Sequence, residues 1–157
     1  MRMQEEYLEK IAEQKLIRIS VRSICLQNGY LLVQQPSDDI NACYAFIGGE
    51  LELGELMEEG LKREYIEEMG IEAKILRYLF VVENRFLVND RLFHAVEHYF
   101  QTEVGDAEIK SQESHITQHW LPIEQLKEYD IRPHVVRDVI CDGSWQTVKR
   151  LIVPLRA

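Results

Sequence analysis

The sequence predicts an α/β sandwich built on a mixed β-sheet. Segments of strand-like alternation fill most of residues 16–104, one helical segment interrupts them, and further helical segments follow near the end. An apolar sheet face is stable only when another layer packs on it, and these helices can supply that layer. The 157 residues fit one domain around one core, so we expect residues 1–157 to form a single domain.

The first part of the chain predicts a helix followed by three strands. Apolar residues four apart, beginning at Met3, favour a short helix over residues 3–15. Residues 16–27 and 30–35 alternate in polarity and flank an Asn-Gly pair, which is typical of a hairpin turn. A short apolar run at residues 44–47 stops at two glycines, as expected of a brief third strand.

The remainder of the sequence predicts one central helix, two long strands and a mostly helical end. A glycine that follows the central helix stands where such a residue commonly ends one. The predicted elements are a helix at 55–69 ended by Gly70, strands at 73–88 and 91–104, helices at 122–129 and 133–140, and a last strand at 147–155.

Composition and charge limit the class of protein. Hydrophobic residues make up 46% and the formal net charge is −9, so polymeric nucleic acid is an improbable partner. The three cysteines are odd in number and lack C-x-x-C spacing, which is typical of packing residues in a reducing compartment. With a polar beginning and no apolar run long enough to cross a bilayer, we expect a cytoplasmic protein.

Three glutamates in the central helix indicate a divalent-cation site. Glu64, Glu67 and Glu68 stand at i, i+3 and i+4, so a helix projects them from one side, where they repel one another. A bound cation would reverse that repulsion, and carboxylate oxygens suit Mg²⁺ or Mn²⁺. A solvated acidic face remains the alternative, although Glu58 and Lys62 lie on the opposite side and better fit the solvent face.

The segment around these glutamates resembles the Nudix box, G-x5-E-x7-R-E-U-x-E-E-x-G-U, in which U is a bulky apolar residue. Three nearby positions depart from the usual pattern: Tyr65 at an aliphatic position, Ile47 in place of proline, and Gly60 in place of alanine. Eight specified positions within residues 49–71 make a specific signal. The matching residues are Gly49, Glu55, Arg63, Glu64, Glu67, Glu68, Gly70 and Ile71.

The resemblance implies a Nudix-type α/β/α sandwich and a Mg²⁺-dependent hydrolase of pyrophosphate bonds, with Mn²⁺ as a second candidate metal. It implies that Glu64, Glu67 and Glu68 bind the metal, together with the Gly49 carbonyl. Arg63 would orient glutamates through its planar fork.

The same resemblance implies structural roles for three further residues and leaves the general base open. Glu55 would close the loop onto the helix, while Gly48 and Gly70 would shape the turns at its two ends. Glu64 is our first choice as the base that accepts a proton from water, and Glu113 is the second. An exposed loop glutamate explains Glu113 equally well.

Candidate substrate contacts lie on the two long strands. Arg85 could bind a phosphate and Phe86 could stack on a base, although an ordinary strand end explains both. His94 is a candidate pocket residue, with packing as the alternative. Arg18 and Arg22, on one face of the first strand, could contact phosphate, although a solvated face is the simpler interpretation.

These observations predict an enzyme that cleaves a nucleoside diphosphate linked to another moiety by attack of metal-activated water. The main alternative is a non-catalytic Nudix-fold module that senses a nucleotide metabolite. An RNA 5′-end pyrophosphohydrolase is a further alternative, against which the charge of −9 counts. The N-terminal segment and residues 147–155 could form a homodimer contact.

Overall fold

The computed structural model describes the backbone of residues 2–155 and the side chains of residues 5–155, so the side chain of Met3 lies outside it. Its α-helices are α1 Arg2–Glu13, α2 Met57–Met69 and α3 His134–Asp142. Its strands are β1 Arg18–Gln27, β2 Tyr30–Pro36, β3 Tyr44–Phe46, β4 Gly48–Glu50, β5 Lys74–Val88, β6 Arg91–Glu103, β7 Ile116–Pro122, β8 Ile131–Arg132 and β9 Arg150–Ile152.

The described strands form a mixed sheet, as predicted. Its order is β8-β3-β2-β1-β6-β5-β9, with β4 paired to β1 and β7 paired to β2. The pairs β1–β6, β3–β8 and β5–β9 are parallel, while the others are antiparallel. The α2 helix packs on one face, with Leu61 and Met69 buried. The α3 helix packs on the other with Val136 and Ile140, which confirms the α/β/α arrangement.

Several predicted elements near the end differ from those observed. The sequence predicted no strand before the helix at 122–129, but residues 116–122 form β7 along the whole of β2. The predicted helix at 122–129 is a 3₁₀ helix, Ile123–Glu128, and a second 3₁₀ helix spans Ser144–Gln146. The last strand covers only Arg150–Ile152. Proline 122 still opens the helical turn, but sheet pairing extends up to it.

The two segments offered for a dimer contact make contacts within the chain. Ile11 and Ala12 of α1 are buried, and this helix packs against β6 and β5. Strand β9 pairs in parallel with β5. No described helix is long and apolar enough to span a membrane.

Tyr65 explains one departure of the central segment from its usual pattern. The ring is fully buried under the sheet, and its hydroxyl contacts Ser23 Oγ at 2.7 Å and Thr102 Oγ1 at 2.8 Å. Ser23 and Thr102 are buried as well. A tyrosine in place of an aliphatic residue thus joins α2 to β1 and β6 through hydrogen bonds.

The substitution Tyr65→Phe is expected to lower the free energy of unfolding by about 1–2 kcal/mol, because two buried hydroxyls lose a hydrogen-bond partner. Chemical denaturation measures the change. Tyr30→Phe is the control, since that ring is 45% exposed on β2. Equal stability of the two variants would contradict the role of the Tyr65 hydroxyl.

Candidate active site

The central helix begins and ends as the predicted pattern requires. The Glu59 carboxylate accepts a hydrogen bond of 3.0 Å from the backbone N–H of Leu56, at the position before the helix. Gly70 has a left-handed φ of 66°, and its N–H bonds the carbonyl of Ile66. Glu58 and Lys62 are exposed, which confirms that they lie on the solvent face.

Arg63 holds the site together. Its Nε and Nη2 donate to the two oxygens of Glu55 at 2.7 and 3.0 Å. Its Nη1 donates to Glu64 Oε1 and Glu67 Oε2, both at 3.1 Å. Nη2 also donates to the Glu50 carbonyl at 3.1 Å. All five guanidinium N–H groups can be used by this set of acceptors, so the arginine links three glutamates and the loop before the helix.

Glu55 closes the preceding loop onto the helix. Besides the paired bonds from Arg63, its Oε1 accepts a 2.8 Å bond from the backbone N–H of Glu52. The hydrogen bonds from Arg63 are the main reason that the pKa of Glu55 lies below its ordinary value, followed by the bond from Glu52. Gly60 leaves room for this loop, because a side chain at that position would meet Leu51 and Glu55.

Gly48 and Gly49 form the floor of the site as part of β4. Gly48 has a φ of 146°, and a Cβ there would overlap the Val21 carbonyl and lie 2.8 Å from the Arg22 Cα. A Cβ on Gly49 would instead lie 2.6 Å from the carboxyl carbon of Glu64. The first glycine therefore permits strand pairing, and the second makes room for the Glu64 carboxylate.

The Glu68 carboxylate is buried and has few hydrogen-bond partners to replace the water that it loses. It is 4% exposed, and its Oε2 has no hydrogen-bond partner. Burial and then the neighbouring Glu64 raise the pKa of Glu68 to about 9, and Glu113 adds to this, while Arg22 opposes it. A buried acceptor beside a second carboxylate is a place where a cation would be stabilised.

The loop between β6 and β7 completes this region. The backbone N–H of Gln112 donates to the Glu68 carbonyl at 2.8 Å, and its side chain lies against Gly70. The next residue, Glu113, lies 3.2 Å from His115 Nε2. Attachment to the end of α2 thus brings Glu113 towards Glu68.

These residues line one cleft of about 1120 Å³. The lining contains these predicted residues: Gly49, Arg63, Glu64, Glu67, Glu68 and Glu113, and also Gly48, Arg18 and Arg22. It does not contain Arg85, Phe86 or His94.

Phe86 instead stacks on Phe93 with ring centroids 4.6 Å apart, and Phe93 does line the cleft. Arg85 and His94 pair across β5 and β6. The sequence-based prediction named Phe86, whereas its stacked neighbour Phe93 is the ring that lines the cleft. It also missed Tyr7 and Gln34, which line the cleft, because spacing within the first helix does not tell what that helix packs against.

The neighbouring carboxylates of Glu64 and Glu68 have the chemistry of a divalent-cation site. Among the described side chains, no group of three or more His, Cys, Asp or Glu residues is arranged so that it could hold a metal ion by itself. Magnesium commonly uses one or two carboxylates and completes its octahedron with waters and substrate phosphates. The unpartnered Glu68 oxygen and the adjacent Glu64 fit that demand.

Comparison with known proteins agrees with this geometry. A model of the NUDIX domain matches residues 16–140. A CTP pyrophosphohydrolase of Escherichia coli (strain K12) is 28% identical over 120 residues, which cover 76% of this chain and 85% of that protein.

Solved structures share the fold. A MutT protein from Methanosarcina mazei Go1 aligns with a TM-score of 0.62 at 23% identity, covering 79% of this chain and 90% of that chain. A MutT NUDIX hydrolase from Burkholderia pseudomallei aligns with a TM-score of 0.64 at 20% identity, covering 85% and 99%.

The two glycines are expected to respond differently to alanine. Gly49→Ala should lower kcat/KM by about 100-fold or more with little loss of stability, because the new methyl group displaces the Glu64 carboxylate. Gly48→Ala should lower the free energy of unfolding by more than about 1 kcal/mol, because it clashes with the β1 backbone. Kinetics and denaturation of both variants test this, and a Gly49→Ala enzyme with full activity would contradict it.

The metal-free protein is expected to become less stable as pH rises from about 5 towards 9. The folded chain, with a Glu68 pKa of about 9 against 4.5 ordinarily, binds more protons than the unfolded chain in this window. Thermal unfolding in chelator measures the trend. Glu68→Gln should flatten the profile, and a profile parallel to that of the wild type would show that Glu68 is not its source.

Proposed function

The chain belongs to the Nudix family and is a hydrolase of pyrophosphate bonds, and from that premise we propose that it cleaves a nucleoside diphosphate linked to another moiety with the help of Mg²⁺. The observation that carries the proposal is the cleft in which the family's glutamates, Arg63 and Gly49 meet. A nucleoside triphosphate falls within this substrate class, since its third phosphate is the linked moiety. The CTP pyrophosphohydrolase relative makes such nucleotides the first to try.

The residues proposed to hold the metal are Glu64, Glu67, Glu68 and the Gly49 carbonyl. When bound, Mg²⁺ or Mn²⁺ would neutralise charge that develops on the phosphoryl oxygens and lower the pKa of a coordinated water. Arg63 would keep Glu64 and Glu67 aligned, because one of its nitrogens donates to both. The positive guanidinium also reduces the repulsion between these carboxylates before substrate arrives.

We assign the role of general base to the Glu64 carboxylate. It is 13% exposed, rests against Gly49 and faces the cleft, so it can take a proton from the attacking water without competing bulk solvent. Glu113 is the second candidate. It is 34% exposed and lies beside His115.

The surroundings support a small substrate in a reducing compartment. Cys25, Cys43 and Cys141 form no disulfide. The charge of −9 disfavours a polymeric nucleic acid, and we propose cytoplasmic action on a nucleotide metabolite. The sensor alternative gains no support from the site, since every position of the box that would bind a cation holds its glutamate.

Glu67→Gln is expected to lower kcat by at least about 100-fold on a substrate that the wild type cleaves, because it removes a charged ligand and an Arg63 partner. The assay follows product release with Mg²⁺ present. The panel holds nucleoside triphosphates, nucleoside diphosphate sugars and dinucleoside polyphosphates.

Glu58→Gln is the matched control, since it makes the same change on the solvent face of α2. It should retain the activity of the wild type. Nucleotide binding without turnover of any panel member would favour the sensor and overturn the enzyme proposal.

A further inference from the structure

The first helix is additional to the family's catalytic domain but contributes to the cleft. The NUDIX match begins at residue 16, whereas α1 ends at Glu13. Tyr7, Leu8 and Ile11 of α1 line the cleft together with Phe93 of β6. We call this part of the cleft, defined by those four residues, the α1 arm.

The helix is held in place against the turn between β5 and β6. Ile11 is 8% exposed, so it packs inward even though it borders the cleft. Glu9 accepts a 3.1 Å hydrogen bond from Asn89 Nδ2, and Arg91 lies 3.5 Å from Glu9 and 3.4 Å from Glu13. The position of Tyr7 relative to the sheet is therefore set by contacts elsewhere on the same helix.

The α1 arm presents apolar surface to the cleft. Tyr7 is 60% exposed, and Leu53, which also lines the cleft, is fully exposed. Phe93 stacks against Phe86, its partner on the neighbouring strand. Exposed apolar side chains gathered at one concave surface are typical of a binding site.

Glu50 connects this arm to the catalytic residues. Its backbone carbonyl accepts from Arg63 at 3.1 Å, and its carboxylate pairs with Arg18 at 3.0 Å. Along β4, Gly48 pairs with Arg22 and Glu50 pairs with Ser20, so the strand runs towards the start of β1 and hence towards α1. A ligand bound at the glutamates can therefore extend past Glu50 into the α1 arm.

We propose that the α1 arm binds the nucleobase of the substrate, with the ring of Tyr7 as the stacking platform. The inference rests on the proposed function. Tyr7, Leu8, Ile11 and Phe93 are uncharged, and the nearby Arg18 is already paired with Glu50. The arm thus suits a neutral planar ring better than a further phosphate or an acidic group.

Equilibrium binding separates the base from the phosphates. The ligands are α,β-methylene CTP, which resists cleavage, and methylenediphosphonate, which has no base, each titrated by calorimetry with Mg²⁺. Tyr7→Ala should raise the Kd of the nucleotide analogue about tenfold, within the range for stacking of a base on an aromatic side chain. It should leave the Kd of methylenediphosphonate unchanged.

Two further variants control the measurement. Tyr7→Phe should bind the analogue within twofold of the wild type, because stacking needs the ring and not the hydroxyl. Lys10→Ala, an exposed change on the same helix that does not border the cleft, should match the wild type.

The outcomes distinguish this inference from the proposed function. An equal loss for both ligands would indicate a structural role for Tyr7, and no loss for either would remove it from recognition; both overturn the inference. Weaker nucleotide binding by Tyr7→Ala in a protein that hydrolyses nothing would support the inference and overturn the enzyme. In an active enzyme, the same variant should raise KM with little change in kcat.

Discussion

The site depends on the set of hydrogen bonds that Arg63 makes. One guanidinium joins the loop before α2, through Glu55 and the Glu50 carbonyl, to the helix itself, through Glu64 and Glu67. Without that positive charge, closely spaced carboxylates would repel one another and the loop would lose its attachment. The pKa of the arginine is raised further above its already high value, chiefly by the bond to Glu55, so it remains charged throughout.

The α2 helix packs on the sheet with one side and carries its carboxylates on the adjacent side. Leu61, Tyr65 and Met69 recur every four residues and bury one side of α2 in the sheet. The charged residues lie beside them, and Glu68 alone among the box glutamates is drawn into the buried zone. Packing therefore fixes the helix firmly, and a firmly fixed helix gives the carboxylates a constant geometry.

Local signals in the sequence were enough to predict the central part of the fold and the residues of the box that line the cleft. The Asn28-Gly29 turn, the helix ended by Gly70 and the spacing of Arg63 with its glutamates all depend on near neighbours. Strand β7 did not follow from local pattern, because it is stabilised by pairing with β2, some 85 residues earlier in the chain.

Residues that contact the far end of the cleft were harder to predict for the same reason. Residues paired directly across two antiparallel strands point to the same face of the sheet, so only tertiary structure decides which of two paired aromatic residues lines a cavity. Phe86 and Phe93 are such a pair. The position of Tyr7 depends on how α1 folds back on the hairpin, which no spacing within residues 2–13 reveals.

The two parts of the cleft differ in how stably they are held in the fold. Arg63 and the glutamates of the box rest on the core helix, whereas α1 is held by two buried side chains and by ion pairs whose members are 31–49% exposed. Exposed ion pairs weaken as salt increases, and peripheral helices detach before the core unfolds. Salt and warmth should therefore release α1 while the proposed metal site is still folded, so that the proposed recognition of the base is lost before the capacity for hydrolysis.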